Sequence, residues 1–210
     1  MHFTIAFDLP TRYGYDSDHP LAEGKVGKMG IAIDTVGDMQ ALLEDVSLEE
    51  ITLIMNTGAA GFILLAFYTV VAGQRGADLK KLSGTVLHGN YIYPPTASLR
   101  IIDDVIEWCR QELPGWKIIT APVHGIDNPV PQNDESVREA QIQKISDWKR
   151  NRNPARVDSV LQGLNDRAAS GENILSAVME AAENHCTLGE IADTLREVFG
   201  ELGGGCWNST

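Results

Sequence analysis

The sequence predicts an α/β fold with a parallel sheet, followed by a region built only of helices. Over the first 120 of the 210 residues, short apolar runs alternate with helical patterns. From residue 134 to residue 202 the helical periodicity continues without strand-like runs. Alternation of strands and helices is typical of successive βα units, and the loss of strands indicates a second, helical part.

Four apolar runs have the length and composition of strands. They are residues 2–7, 51–55, 84–87 and 116–120. The helices predicted between them are residues 36–43, 61–72 and 97–113. Asp34 and Thr35 precede the first of these helices as candidate caps, whereas Pro94 and Pro95 precede the last. The four units therefore predict a parallel sheet with helices between its strands.

A Pro- and Gly-rich segment at residues 122–133 separates the two parts and predicts a linker or a seam. We therefore expect partial barrel units in residues 1–121 and a helical region in residues 134–202. Breaks in the pattern predict helices at 134–150, 155–169 and 172–199, the last with a bend near Thr187. The Gly-rich residues 203–210 predict a disordered tail.

The number of βα units limits which architectures the chain can form. A closed eight-stranded α/β barrel takes about 250 residues and eight units. The four units found here cannot close such a barrel alone. An open sheet, a half-barrel that pairs with something else and an incomplete product remain as alternatives.

Composition and charge argue against several classes of function. Lys and Arg number 17 against 29 Asp and Glu, so the net charge of −12 argues against nucleic acid or an anionic membrane as a partner. Cys109, Cys186 and Cys206 are widely spaced, which favours neither a disulfide framework nor a zinc site. Reduced cysteines fit a cytoplasm or an organelle matrix, and we expect a cytoplasmic location. The longest apolar stretch, residues 61–73, is too short to span a bilayer.

An ordered series of motifs runs along most of the chain. The blocks are AFDLPT at residues 6–11, GYDSDHP at 14–20, GKMGIAID at 27–34, LSGT at 82–85, YIYPP at 91–95 and TLGEIADTLREVFG at 187–200. In this order the blocks resemble the cobalamin-dependent acyl-CoA mutase family, in particular the large subunit of the methylmalonyl-CoA mutase type, in an internally shortened form.

The resemblance implies a fold and a chemistry. The fold is a partial TIM-type (β/α) barrel with about four parallel strands, followed by a C-terminal helical segment. In the family an acyl-CoA passes along the barrel axis and adenosylcobalamin caps the carboxyl ends of the strands, where it starts a radical isomerisation of methylmalonyl-CoA and succinyl-CoA. By motif match, Ala6, Phe7 and Leu9 are expected at the cofactor. The same three residues would also suit an ordinary core strand.

Hydroxyl side chains at strand ends supply substrate contacts in the family. Thr52 and Thr85 are expected at such positions, Thr85 within a matching Ser-Gly-Thr, and Thr4 stands where the family often has Ser. Barrel enzymes place their chemistry at the carboxyl ends of the strands. The alternative for all three is that threonine is simply a good strand residue.

The chain also departs from the family pattern. Leu87 stands where the family has Gln, and the Arg that pairs with the substrate carboxylate is missing from the seam at residues 85–91. The His that donates to the substrate carbonyl is missing from the second seam, residues 120–134. The Asp-x-His-x-x-Gly hallmark of the cobalamin-binding domain is not matched, because residues 183–189 have one residue too many. We therefore expect no turnover by this chain alone.

A few further side chains invite a functional interpretation. Asp16, Asp18 and Asp34 could hold a metal ion, although acids in loops more often cap helices. His124 could replace the missing histidine, but a His exposed in a Pro-rich linker is the simpler interpretation. Neither alternative assigns a catalytic or metal-binding residue.

Three hypotheses follow. The chain contributes substrate and cofactor surface to an isomerase, with an acyl-CoA substrate and a separate cobalamin-binding subunit or mutase chain as partners. Alternatively, it is a non-catalytic remnant that binds a partner, or an incomplete gene product. All three predict association, because an open parallel sheet leaves an edge and an inner face uncovered.

Overall fold

The computed structural model describes residues 1–89, 92–120 and 135–202. The strands are β1 (His2–Ala6), β2 (Thr52–Asn56), β3 (Ser83–His88) and β4 (Gly115–Thr120). All neighbours are parallel and the order is β1-β2-β3-β4. The predicted α/β class and partial (β/α) barrel are confirmed. Within the described ranges the barrel is not closed, because β1 and β4 lie at opposite edges of the sheet.

Helices connect the strands and then continue alone. They are α1 (Leu9–Arg12), α2 (Val36–Leu42), α3 (Gly61–Gln74), α4 (Pro95–Glu112), α5 (Ser136–Arg150), α6 (Pro154–Ser170), α7 (Leu175–Glu183) and α8 (Leu188–Phe199). Short 3-10 turns lie at Pro20–Ala22, Leu48–Glu50, Gly58–Ala60 and Leu79–Lys81. The expected linker at residues 122–133, the tail at 203–210, His124 and Cys206 lie outside the described residues.

The prediction of a single last helix was wrong. A helix over residues 172–199 with a bend is replaced by two helices, α7 and α8. Thr187 caps α8 by accepting a hydrogen bond from the Glu190 N–H, and the Glu190 carboxylate accepts one from the Thr187 N–H. This reciprocal cap starts a new helix. His185, with a φ of 67°, takes the left-handed conformation that ends the preceding one.

The hydrophobic core lies on one face of the sheet. Leu53 and Met55 of β2 and Val86 of β3 are buried there. Helix α3 is apolar all round and is buried over almost its whole length, because α2 and α7 pack against its outer side. A helix without a polar face needs such enclosure.

The helical region is joined to the βα units by buried hydrogen bonds. The Leu188 N–H donates to the Asp34 carbonyl over 2.7 Å, and the Gly189 N–H donates to Asp16 Oδ1 over 2.6 Å. Both bonds use N–H groups of the first turn of α8, which lack partners inside the helix. Residues more than 150 positions apart in sequence thus form one packed unit with the sheet.

Two further observations bear on the classes of function. No helix in the described part of the chain is long and apolar enough to cross a membrane. Cys109 and Cys186 are free thiols in the core, and burial raises the pKa of each to about 12. Thiols with such pKa values remain protonated and therefore act as packing residues.

Candidate functional site

The second face of the sheet carries small and polar side chains. The register aligns Thr4 of β1 with Ile54 of β2, Thr85 of β3 and Lys117 of β4 in one row. These side chains are half-buried or exposed, whereas Ile5, Leu53, Met55 and Val86 on the opposite face are buried. We call this face, whose residues include Thr4, Thr52, Ile54, Ser83 and Thr85, the polar face.

All three threonines expected at the substrate lie on the polar face, but not at one level. Thr4 and Thr85 lie in the same row, separated by Ile54. Thr52 is the first residue of β2, and its hydroxyl lies 3.1 Å from that of Ser83. Thr52 therefore lies at the amino edge of the sheet, the edge opposite to the carboxyl ends of the strands.

The carboxyl end of β1 contains the three residues expected at the cofactor. Ala6 is exposed and Leu9 is half-buried. Phe7 is only 1% exposed, because its side chain belongs to the hydrophobic core. Ala6 and Leu9 thus offer side-chain surface at this edge, whereas Phe7 offers only its backbone.

A loop crosses the carboxyl end of β1. The Ile31 N–H donates to the Ala6 carbonyl over 2.9 Å, and the Asp8 N–H donates to the Ile31 carbonyl over 3.0 Å. Gly30 lies so close to β1 that a Cβ added there would be 2.5 Å from the Phe7 carbonyl oxygen. Only glycine allows this approach. The crossing fixes where the loop presents its side chains.

The same loop exposes apolar side chains beside Ala6. Met29 is 43% exposed and has a φ of 63°, a left-handed conformation that is unfavourable for methionine, and Ile31 is 42% exposed. Strained residues and exposed apolar groups cluster at ligand-binding sites. Sequence reasoning did not single out these two residues. The methionine that directly precedes the last glycine of the GKMG motif was the feature of the sequence that could have indicated this exposed position.

Asp8 holds the loop and α1 in place from within the protein. Its carboxylate is buried and accepts hydrogen bonds from the Thr11 N–H at 3.0 Å and the Gly27 N–H at 2.6 Å. Burial raises the pKa of Asp8 to about 6, although these hydrogen bonds act to lower it. Asp8 is therefore a positioning residue for the edge.

The acids considered as metal ligands have structural partners. Asp34 accepts two hydrogen bonds of 2.8 Å from Ser17, and Asp16 bonds the first turn of α8. Lys149 lies 3.6 Å from Asp16 and 3.2 Å from the exposed Asp18. Burial raises the pKa of Asp34 well above its usual value. These acids cap a helix and order a loop, as the sequence favoured.

His185 has a packing role. Its ring packs at a tilt against that of Trp148, with 4.7 Å between centroids, and its carbonyl accepts hydrogen bonds from Trp148 Nε1 and Arg152. These contacts connect α5 to the turn between α7 and α8. They account for the conformation of His185 without a ligand.

Two polar atoms near the carboxyl ends of β1 and β2 lack hydrogen-bond partners in residues 1–89, 92–120 and 135–202, and a buried histidine ends β3. Arg12 Nε and Asn56 Oδ1 are both buried and make no hydrogen bond there. His88 ends β3, and burial lowers its pKa to about 4, so that its imidazole is neutral at physiological pH. Buried polar atoms without partners are rare in native proteins, and they mark places where a ligand can bind.

Comparison with known proteins finds one family whose model covers most of the chain. A family model described as methylmalonyl-CoA mutase matches residues 1–129 and 123–201. Together these two segments cover nearly the whole chain, including the sheet and the helical region.

Individual relatives match about half of the chain. The large subunit of 2-hydroxyisobutanoyl-CoA mutase from Aquincola tertiaricarbonis is 46% identical over 116 residues, which are 51% of this chain and 21% of the relative. Methylmalonyl-CoA mutase from Escherichia coli (strain K12) is 42% identical over 126 residues, 56% of this chain and 18% of the relative. Ethylmalonyl-CoA mutase from Cereibacter sphaeroides is 46% identical over 122 residues, 54% of this chain and 19% of the relative. The chain thus spans about a fifth of the length of the curated relatives it matches.

Proposed function

Because the chain belongs to the methylmalonyl-CoA mutase family, we propose that it forms part of the substrate and cofactor surface of an adenosylcobalamin-dependent acyl-CoA mutase. Such an enzyme is an isomerase that interconverts methylmalonyl-CoA and succinyl-CoA. In this proposal residues 1–121 supply barrel units and residues 134–202 supply the helical end of the same domain. One observation carries this proposal: the polar face and the exposed apolar side chains at the carboxyl end of β1 belong to one parallel sheet.

The polar face suits an acyl-CoA. Hydroxyls of Thr4, Thr52 and Thr85 lie on it and can bond the carbonyl and amide groups of the acyl and pantetheine parts. Thr52 lies at the amino edge of the sheet and Thr85 lies near its middle, so the two hydroxyls are spaced along the strand direction. An extended ligand that runs parallel to the strands could contact both.

The carboxyl edge suits the face of a corrin ring. Ala6 and Leu9, together with the exposed Met29 and Ile31, form an apolar surface there, and Phe7 contributes backbone. When bound, adenosylcobalamin supplies the radical that starts the rearrangement. The residues of this chain position the ring and keep water from the reacting groups.

Turnover by this chain alone is not part of the proposal. Leu87 lies on the polar face in register with Asn56, where the family has Gln, and it offers no hydrogen bond. Residues of the family that bind the substrate carboxylate and carbonyl are missing from the two seams. We therefore propose that catalysis requires a further mutase chain or a separate cobalamin-binding subunit.

We expect the threonines to contribute to acyl-CoA binding. Replacing Thr85 with valine keeps the shape and removes one hydroxyl, so the affinity for succinyl-CoA should fall about two- to tenfold, the effect of one hydrogen bond. Calorimetric titration of the wild type, T4V and T85V measures this. The control is T96V, at an exposed position in the first turn of α4. An equal loss in T96V, or none in T85V, would argue against this face as the site.

A second candidate function is a non-catalytic chain that binds a mutase partner. It is favoured by the edges of β1 and β4, which are unpaired among the described strands, and by relatives that are named as large subunits. In that case the chain should co-elute with a full-length mutase on size exclusion. No shift in elution would rule this function out. A melt without a cooperative transition would instead support an incomplete product.

A further inference from the structure

Arg12 is a buried cation without a counter-charge in the part of the chain that the structure describes. It ends α1 and is 8% exposed, and its buried side-chain Nε has no hydrogen-bond partner among the described residues. Other largely buried arginines have partners for their terminal nitrogens: Arg152 pairs with Glu190, and Arg196, whose Nε also lacks a hydrogen-bond partner, bonds two backbone carbonyls through Nη1 and Nη2. Arg12 therefore differs from the arginines that stabilise the fold.

The Arg12 side chain lies against the start of a long helix. A Cβ added to Gly58 would be 2.9 Å from Arg12 Cβ and 3.3 Å from Arg12 Nε. Gly58 opens the turn Gly58–Ala60, which leads directly into the 14-residue α3. The backbone N–H groups at the start of this turn and of α3 are not capped by a side chain of Thr57 or Ala60. The Thr57 hydroxyl donates to the Leu87 carbonyl instead.

Two positive potentials thus meet, and no acidic side chain of the described residues pairs with Arg12 there. The first N–H groups of a helix lack internal partners and carry the positive end of its dipole. A guanidinium beside them is repelled as well as desolvated, and burial lowers the pKa of Arg12. The nearest acid in sequence, Asp8, is occupied by the Thr11 and Gly27 N–H groups and does not pair with Arg12. An arrangement of this kind is the one that binds anions.

We propose that Arg12 and the N–H groups at Gly58–Ala60 bind the free carboxylate of a dicarboxylic acyl-CoA. This inference rests on the proposed function. A guanidinium holds a carboxylate through two parallel hydrogen bonds, and the carboxyl ends of β1 and β2, from which Arg12 and Gly58 follow, form the edge where barrel enzymes bind substrates. Arg12 would then supply the positive charge that the seam at residues 85–91 does not contain.

The test compares two acyl-CoA ligands that differ in the terminal carboxylate. Titration calorimetry of the wild type should show succinyl-CoA binding about tenfold or more tightly than butyryl-CoA. In R12Q that preference should disappear while butyryl-CoA affinity is unchanged, and R12K should retain part of it, because lysine keeps the charge and loses the two-point geometry. R110Q, which removes the same charge from an exposed position on α4, should behave as the wild type.

A second measurement does not depend on acyl-CoA binding. Sodium malonate should raise the melting temperature of the wild type above that in sodium chloride of equal ionic strength, and it should not do so for R12Q. Equal affinities for the two acyl-CoA ligands, or a preference that survives in R12Q, would overturn the assignment of Arg12 while leaving acyl-CoA binding intact. If neither acyl-CoA binds, the proposed function fails, and an equal malonate effect in R12Q and wild type would overturn the anion site as well.

Discussion

Replacing Gly30 with alanine is expected to destabilise the protein by about 3 kcal/mol or more. The added methyl group would lie 2.5 Å from the Phe7 carbonyl oxygen and 2.7 Å from that of Ala6. Both atoms are backbone at the end of β1, so neither can turn away as a side chain could. The loop must therefore separate from the strand, with loss of the hydrogen bonds between Ile31, Ala6 and Asp8.

Urea unfolding followed by circular dichroism measures this effect. The matched control is G163A within α6, where an added Cβ meets no atom within 4 Å. Alanine there should stabilise the protein by about 0.5–1 kcal/mol, because glycine is a poor helix former. If G30A unfolds at the same urea concentration as the wild type, the loop does not pack on β1 in solution. The cofactor surface inferred from Ala6, Met29 and Ile31 would then be lost too.

Replacing Asp16 with alanine is expected to cost about 2–3 kcal/mol, the second largest effect. The change leaves the buried Gly189 N–H without an acceptor. It also removes the carboxylate through which the loop of Asp16 bonds the first turn of α8. Lys149 also loses its contact with a buried acid. D18A is the control, because Asp18 shares Lys149 but is exposed, and its loss should change stability by less than about 0.5 kcal/mol.

The charge of Asp16 gives this prediction a pH dependence. Burial raises the pKa of Asp16 to about 6, against an ordinary value of 3.8, so the folded state holds the proton more tightly than the unfolded state. Its contribution to stability is therefore greatest below about pH 4 and falls as the pH rises to about 6. D16N cannot ionise, and its stability relative to the wild type should rise between pH 4.5 and pH 7. A constant difference across that range would contradict the raised pKa.

Local patterns in the sequence predicted the regular elements well. The apolar run at residues 51–55 corresponds to β2 at Thr52–Asn56, and the predicted helix at 61–72 corresponds to α3 at Gly61–Gln74. Thr35, a candidate cap from sequence, caps α2. These features depend on side-chain spacing and backbone sterics within a few residues. The local sequence is therefore sufficient to predict them. The sequence indicated only a bend near Thr187, where the structure has a break between α7 and α8.

The candidate site was only partly predictable. The AFDLPT motif marked Ala6 and Leu9, but the burial of Phe7 depends on which face of β1 meets the core. The hydroxyl of Thr52 was expected near a reacting end of its strand and lies at the amino edge instead. Met29 carries no distinctive local pattern, since its exposure and left-handed conformation arise from the crossing of its loop over β1.

The sequence by itself determined the α/β class, the four βα units, the helical end and membership of the acyl-CoA mutase family, because periodicity and ordered motifs are properties of the chain alone. Only the tertiary structure decided which polar groups have partners. Asp16 meets the N–H of Gly189, 173 residues away, whereas Arg12 reaches Gly58 and meets no acid among the described residues. The physical reason is that burial and pairing depend on distances between remote segments, which exist only once the sheet has brought those segments together.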